Sequence, residues 1–157
     1  MATNIVITDL LDNEIDLLHY LVDEFILSHR TLPFRDNHWP VFRDWLLKIN
    51  KDDSKLFAAR SDKRIVGFAV CHILDNSPLL FPEKIGYVRV MIISSEFRQD
   101  GIGNALWNSM KSWFLSKGIE QVELYTEHNN TVAEAFWKKQ GFITFLHRRK
   151  FCINEGF

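Results

Sequence analysis

The 157-residue sequence holds only two cysteines, four prolines and seven glycines. Cys71 and Cys152 lie far apart in apolar surroundings and form no CxxC motif. That placement argues against a disulfide framework and fits buried thiols in a reducing compartment. No apolar run approaches the roughly 18 residues of a membrane span. Residues 1–8 carry neither the basic nor the apolar segment of a secretory leader, so the location expected by elimination is cytoplasmic. An excess of one charge is missing as well: 19 Lys and Arg against 20 Asp and Glu leave a net charge of −1. No overall field gathers nucleic acid or an anionic membrane, and neither is an expected partner. The histidines at 19, 29, 38, 72, 128 and 147 show neither HExxH nor His pairing at i, i+4, so no metal is expected.

What the chain does have is 46% hydrophobic and 25% charged residues, the proportions of one globular domain over residues 1–157. Aromatics reach 13%, with thirteen Phe and five Trp, as in a large-residue core built around a sheet. Residues 3–8 read as a strand. A helix follows, capped by Asp9 or Asp12, with Leu11, Ile15, Leu18, Val22, Phe25 and Ile26 on one face. An aromatic and polar connector around Pro33 separates it from a second helix over about 39–49. Strands at 55–60 and 64–74 form a hairpin about Ser61, Asp62 and Lys63. Residues 83–94 are rich in β-branched and aromatic side chains and read as a central strand, with Val88, Val90 and Ile92 on one face and Tyr87, Arg89, Met91 and Ile93 on the other. A helix over 101–116, a strand over 119–126, a helix over 130–140 and one or two closing strands over 142–151 complete a mixed α/β layout.

The segment with most chemical content is SSEFRQDGIGNAL, residues 94–106, where a central strand enters a glycine-bearing loop that opens a helix. The first N–H groups of a helix have no partner within it, and the helix dipole adds positive charge, so a phosphate can be held there by backbone. Gly101 and Gly103 permit close approach, and Arg98 supplies a charged fork. The Walker Gly-Lys-Ser/Thr is absent, and Leu106 stands where the dinucleotide fingerprint has its third Gly, so both of those phosphate sites are excluded.

Arg98-Gln99-Asp100-Gly101-Ile102-Gly103 resembles the Gln/Arg-x-x-Gly-x-Gly/Ala loop of the GNAT N-acetyltransferases, and Asn130-x-x-Ala133-x-x-Phe136-Trp137-x-x-x-Gly141-Phe142 is similar to that family's later signature. The resemblance implies a central, mostly antiparallel sheet of about six or seven strands, splayed between its central strands and flanked by about four helices. It also implies acetyl-CoA as co-substrate, with Ile92 and Ile93 offering backbone to the pantetheine arm. Around the pyrophosphate it places Arg98, Gln99, Gly101, Ile102, Gly103 and Asn104. Asn130 and Trp137 would meet the coenzyme from the later helix, although capping explains Asn130 equally well. Lys138 and Lys139 fit an outer phosphate or, more simply, a solvated face.

A Lys-like amine is only about 0.04% neutral at pH 7, so acetyl transfer to it requires a proton acceptor, and the departing thiolate benefits from a donor. The family's usual donor is a Tyr, and Trp137 takes its place; an indole N–H is no practical acid. The resemblance implies a second position: in the family's histone-acetylating branch a Glu lies on the central strand eleven residues before this loop's first motif residue, and counting back from Arg98 gives Tyr87, the leading catalytic candidate, a core tyrosine being the alternative. Tyr125 and Glu83 follow, with Glu127 and His128 beside Tyr125. The reading is direct transfer to a primary amine of a small molecule. Alternatives are a protein amine, a non-catalytic acyl-CoA-binding regulatory module, and a nucleic-acid binder resting on the basic run 147–150. A homodimer is admissible. For the acceptor two signals conflict. The acidic run Asp9, Asp12, Glu14, Asp16, Asp23 and Glu24 favours a cationic amine, whereas His29, Arg30, Arg35 and His38 favour a carboxylate. Phe34, His38 and Trp39 are candidates to line its cleft.

Overall fold

The computed structural model describes residues 4–29 and 31–153. Arg30 lies outside them, as does Thr3 of the first expected strand. The chain divides into two compact units, residues 1–124 and 125–157.

The first unit carries β1 (Ile5–Asp9), α1 (His19–Ser28), α2 (His38–Lys48), β2 (Ser54–Ser61), β3 (Arg64–Asp75), β4 (Lys84–Ile93), α3 (Ile102–Ser116) and β5 (Val122–Glu123). These strands form one sheet in the order β1-β2-β3-β4-β5, antiparallel except for the last pair. Among the described residues the sheet therefore has five strands, fewer than the six or seven implied. Residues 143–150 form no strand. Ile143, Phe145 and Leu146 are exposed, and alternation alone makes no strand where no neighbour completes the hydrogen-bond ladder. None of the described helices is long and apolar enough to cross a membrane.

Residues Asp12–Leu18 wind as a 3-10 helix before α1 begins. Ile15, Leu18, Leu21 and Val22 from this segment and Leu46 from α2 bury against Leu56, Ala58, Phe68, Val70 and Ile92 of the sheet. The acidic run of this region is consumed by cross-element ion pairs. Asp9 meets Lys55 at 2.7 Å, Asp12 meets Lys51 at 2.9 Å, and Asp16 takes Arg43. Glu14 accepts both Arg60 Nη2 at 2.8 Å and the Leu11 N–H at 3.0 Å. The Leu11 hydrogen bond first, then Arg60, holds the Glu14 carboxyl below the usual carboxylate range. A depressed folded-state pKa gives stability that is present above the unfolded value and lost as pH falls through the folded one. Glu14→Gln should thus cost about 1 kcal/mol at pH 7. The gap to the parent should close below pH 4.5, the ordinary value for this group; urea midpoints across that range check it.

On the opposite face α3 covers the sheet. Its apolar residues Ile102, Leu106, Trp107, Met110 and Phe114 are buried. The second unit holds α4 (Thr131–Lys139), which Asn130 caps by accepting the Ala133 N–H at 3.1 Å.

Candidate coenzyme fork and acceptor cleft

The pairing of β4 with β5 lasts two residues, Gly86 with Val122 and Tyr87 with Glu123, and the Gly86 N–H also donates to Gln121 O at 2.8 Å. β5 ends at Glu123, and beyond Tyr87 no described strand of the first unit continues the ladder on that side, so within that unit the β4 edge has no strand partner. Backbone polar groups alternate sides along a strand. Ser94 N–H donates across to Val66 O at 2.9 Å, so Ile93 and Met91 turn their groups to the open edge. Ile92 does the reverse, for its carbonyl faces Gly67 of β3 and its side chain joins the core. Met91 is thus an edge position that sequence reasoning missed, and the signal was the period of two counted back from Ile93.

The register of β4 slips against β3 between Val70 and Cys71: Val90 opposes Val70, Val88 opposes Cys71, and Arg89 is the extra residue. Directly paired residues share a face, so the bulge separates Val88 from Val90 and Ile92, which the simple alternation had placed together. Tyr87, opposite His72, and Arg89 come instead to the α2 side. The Arg89 guanidinium carbon lies 6.0 Å from the Trp45 ring centre and 5.8 Å from that of Tyr87. His72 accepts or donates through Nδ1 to Ser54 Oγ at 2.7 Å and packs edge-on to Trp45. Burial first, then the charge of Arg89, lowers its pKa and keeps it neutral near pH 7.

After β4 the loop turns through a short 3-10 segment, Ser95–Phe97, then two left-handed residues, Gln99 (φ 70°) and Gly101 (φ 79°). Gly101 has no side chain to cap α3. The helix therefore begins with its dipole end and first-turn N–H groups, from Ile102, Gly103 and Asn104, at the end of the loop. Arg98 Nε donates to Ile93 O at 3.4 Å. Glu24 of α1 anchors the loop by accepting the Ser95 N–H and, at 3.3 Å, Ser94 Oγ. Burial pushes the Glu24 carboxyl up, but the hydrogen bonds from Ser95 and Ser94 and the charge of Arg98 outweigh it, and the pKa is lowered. Sequence reasoning had counted Glu24 only as part of an acidic run.

A cleft of about 420 Å³ opens between the connector, α2 and the bulged part of β4, lined by Phe34, Arg35, His38, Phe42, Trp45, Arg89 and Val90 among others. Phe34 and His38 are there as expected, whereas Trp39 stacks on His19 at 4.5 Å instead. Behind the cleft His38 Nε2 meets Asp23 Oδ1 at 2.9 Å, and His19 closes a group of three possible metal ligands within 4.8 Å.

The catalytic candidates separate. Tyr87 is half-buried, at the residue where β4 and β5 part, opposite Glu123. Glu83 is exposed and precedes β4, about 13 Å of strand away from Tyr87. Tyr125 is exposed in the second unit, with the Arg148 guanidinium carbon 5.1 Å from its ring centre. Also in that unit, Trp137 is buried, edge-on to Phe136 and Phe142 at 4.8 and 5.1 Å.

A strand pairing that stops after two residues, followed by a left-handed glycine and a helix start, agrees with what the sequence matches: the Acetyltransferase (GNAT) family, over residues 15–142. The chain belongs to that family. Among relatives, the mycothiol acetyltransferase of Amycolatopsis mediterranei is 29% identical over 92 residues, which cover 58% of this chain but 31% of that protein. An aminoglycoside N(6')-acetyltransferase type 1 of Salmonella typhimurium is 26% identical over 127 residues, 68% of this chain and 83% of the relative. The fold of this GNAT chain matches that of an aminoglycoside N-acetyltransferase solved in complex with CoA, with TM-score 0.74 and 18% identity over 97% of this chain and 98% of the other.

Proposed function

We propose that the protein is an acetyl-CoA-dependent N-acetyltransferase that moves the acetyl group directly to a primary amine of a small molecule while both substrates are bound. The observation that carries this reading is the open edge of β4 leading into the uncapped start of α3. Met91 and Ile93 are at hand for the amide groups of an extended arm, and Gln99, Gly101, Ile102, Gly103 and Asn104 for its pyrophosphate, with Arg98 adding charge. The family match across both units supports a single domain over residues 1–157. Nearly balanced charge leaves no overall field to gather nucleic acid.

In the transfer the amine nitrogen attacks the thioester carbonyl, the C–S bond breaks, one proton leaves the nitrogen and the thiolate takes up another. Tyr87 is the candidate donor to sulfur because it stands at the fork, whereas Trp137 is held by aromatic packing and has no acidic proton. Release of free thiol from acetyl-CoA across a panel of amines tests the function. Binding of coenzyme A with no amine turned over would instead identify a regulatory module. Tyr87→Phe should lower kcat about a hundredfold with coenzyme A affinity unchanged, and should remove the basic limb of the pH–rate profile; an unaltered profile would take Tyr87 out of the chemistry.

A further inference from the structure

We infer that the acceptor is an amine that also carries a carboxylate on an apolar or aromatic body, and that Arg89 is the group that holds this carboxylate. The inference rests on the acetyltransferase reading and specifies its substrate class. Two signals in the sequence pointed opposite ways, and the structure separates them. The acidic residues near the N-terminus are turned to Lys51, Lys55, Arg60 and Arg43, and Asp23 to the His38 ring nitrogen, so each has a partner within the fold. Glu24 is committed to the Ser94–Ser95 backbone and hydroxyl. None of these acids lines the cleft beside β4.

What lines it is basic and aromatic. Arg35, His38 and Arg89 are its ionisable groups, and no carboxylate is among its walls. Among the described residues neither Arg35 nor Arg89 has an acidic side chain within ion-pair distance, and Arg89 lies over the rings of Trp45 and Tyr87 and near His72. The guanidinium carbon lies within 6.0 Å of both ring centres, and its five donors form a planar fork that matches a planar two-oxygen anion. The bulge puts Arg89 there, two residues from Tyr87 and from Met91 on the open edge. Phe34, Phe42 and Trp45 supply the apolar wall. A polycationic amine would meet like charge in this cleft and find no partner for its ammonium groups.

The test uses the full chain saturated with coenzyme A, and calorimetric binding of phenylalanine, leucine and tryptophan, their carboxamides, and spermidine. The acids should bind about tenfold to a hundredfold tighter than the amides, the span of one charge-assisted hydrogen-bonded pair. The amides are the weaker bases and hold more neutral amine at pH 7, so bare reactivity would favour them in turnover and cannot imitate the effect. Arg89→Met should abolish the preference for acid over amide and leave amide binding as it was; Arg89→Lys should restore part of it. Thermal melts of each variant confirm the fold, and Arg35→Met gives a second, independent removal of charge. Equal or tighter binding of amides or spermidine, or a preference that survives Arg89→Met, overturns the inference. Thiol release on the same compounds keeps the two readings apart. Turnover that favours spermidine leaves the acetyltransferase standing and removes the anionic acceptor, whereas selective binding of acids without turnover does the opposite.

Discussion

Replacing Gly103 with tyrosine should weaken coenzyme A binding about a hundredfold or more, as the loss of two or more charge-assisted hydrogen bonds requires. Gly103 is the second residue of α3 and is buried in its first turn. A phosphate seated on the helix start needs contact distance to the backbone there, and any side chain reaching over that turn occupies the same space. Isothermal titration with coenzyme A reads the effect. Because the position is buried, far-UV circular dichroism and a thermal melt accompany it. Gly101→Ala gives a graded second variant: a Cβ at Gly101 would meet nothing within 4 Å, so the change acts only through its left-handed backbone, at about 1–2 kcal/mol. Undiminished affinity in folded Gly103→Tyr would falsify the assignment of this loop to the donor.

The largest effect on stability is expected at Gly86. A Cβ built there would stand 2.6 to 2.9 Å from three ring atoms of Phe114, which is only 1% exposed and has no room to withdraw. Gly86→Ala should cost about 2–3 kcal/mol by overpacking and lower Tm by about 5–10 °C. The cause is specific to this pair, so Phe114→Leu in the same chain should recover part of the loss, which a double-mutant cycle on melting data would show as coupling. Additive losses would mean that the clash is not the reason.

Much of the framework of the candidate site was legible because glycine and helical spacing leave marks on a single chain. Gly101, Gly103 and the apolar series Ile102, Leu106, Met110 and Phe114 located α3, and all four apolar residues are buried. The later helix and its cap at Asn130 were equally readable. What escaped depends on neighbours that a local pattern does not contain. Over two turns, three and 3.6 residues per turn give nearly the same apolar spacing, so Asp12–Leu18 reads as the start of an α-helix although it is 3-10. The bulge at Arg89 leaves the composition of β4 untouched while exchanging its faces, so the alternation of Val88 with Val90 was misleading. Residues 142–151 alternate well enough for strands but have no partner ladder. The roles of Glu24 and Arg89 were hidden for the same reason, since each is defined by what it faces across the fold and not by its sequence neighbours.

The fork and the bulge lie on one strand but expose different parts of it. The edge at Met91 and Ile93 offers peptide groups, which every residue type but proline shares, whereas the wall at Tyr87 and Arg89 offers side chains. A donor held through the first is insensitive to substitution along β4; an acceptor held through the second is set by it. If the proposed function holds, changing residue 89 should therefore alter which acceptor is taken without disturbing the coenzyme, so that one strand can drift in substrate choice while the donor site is inherited intact.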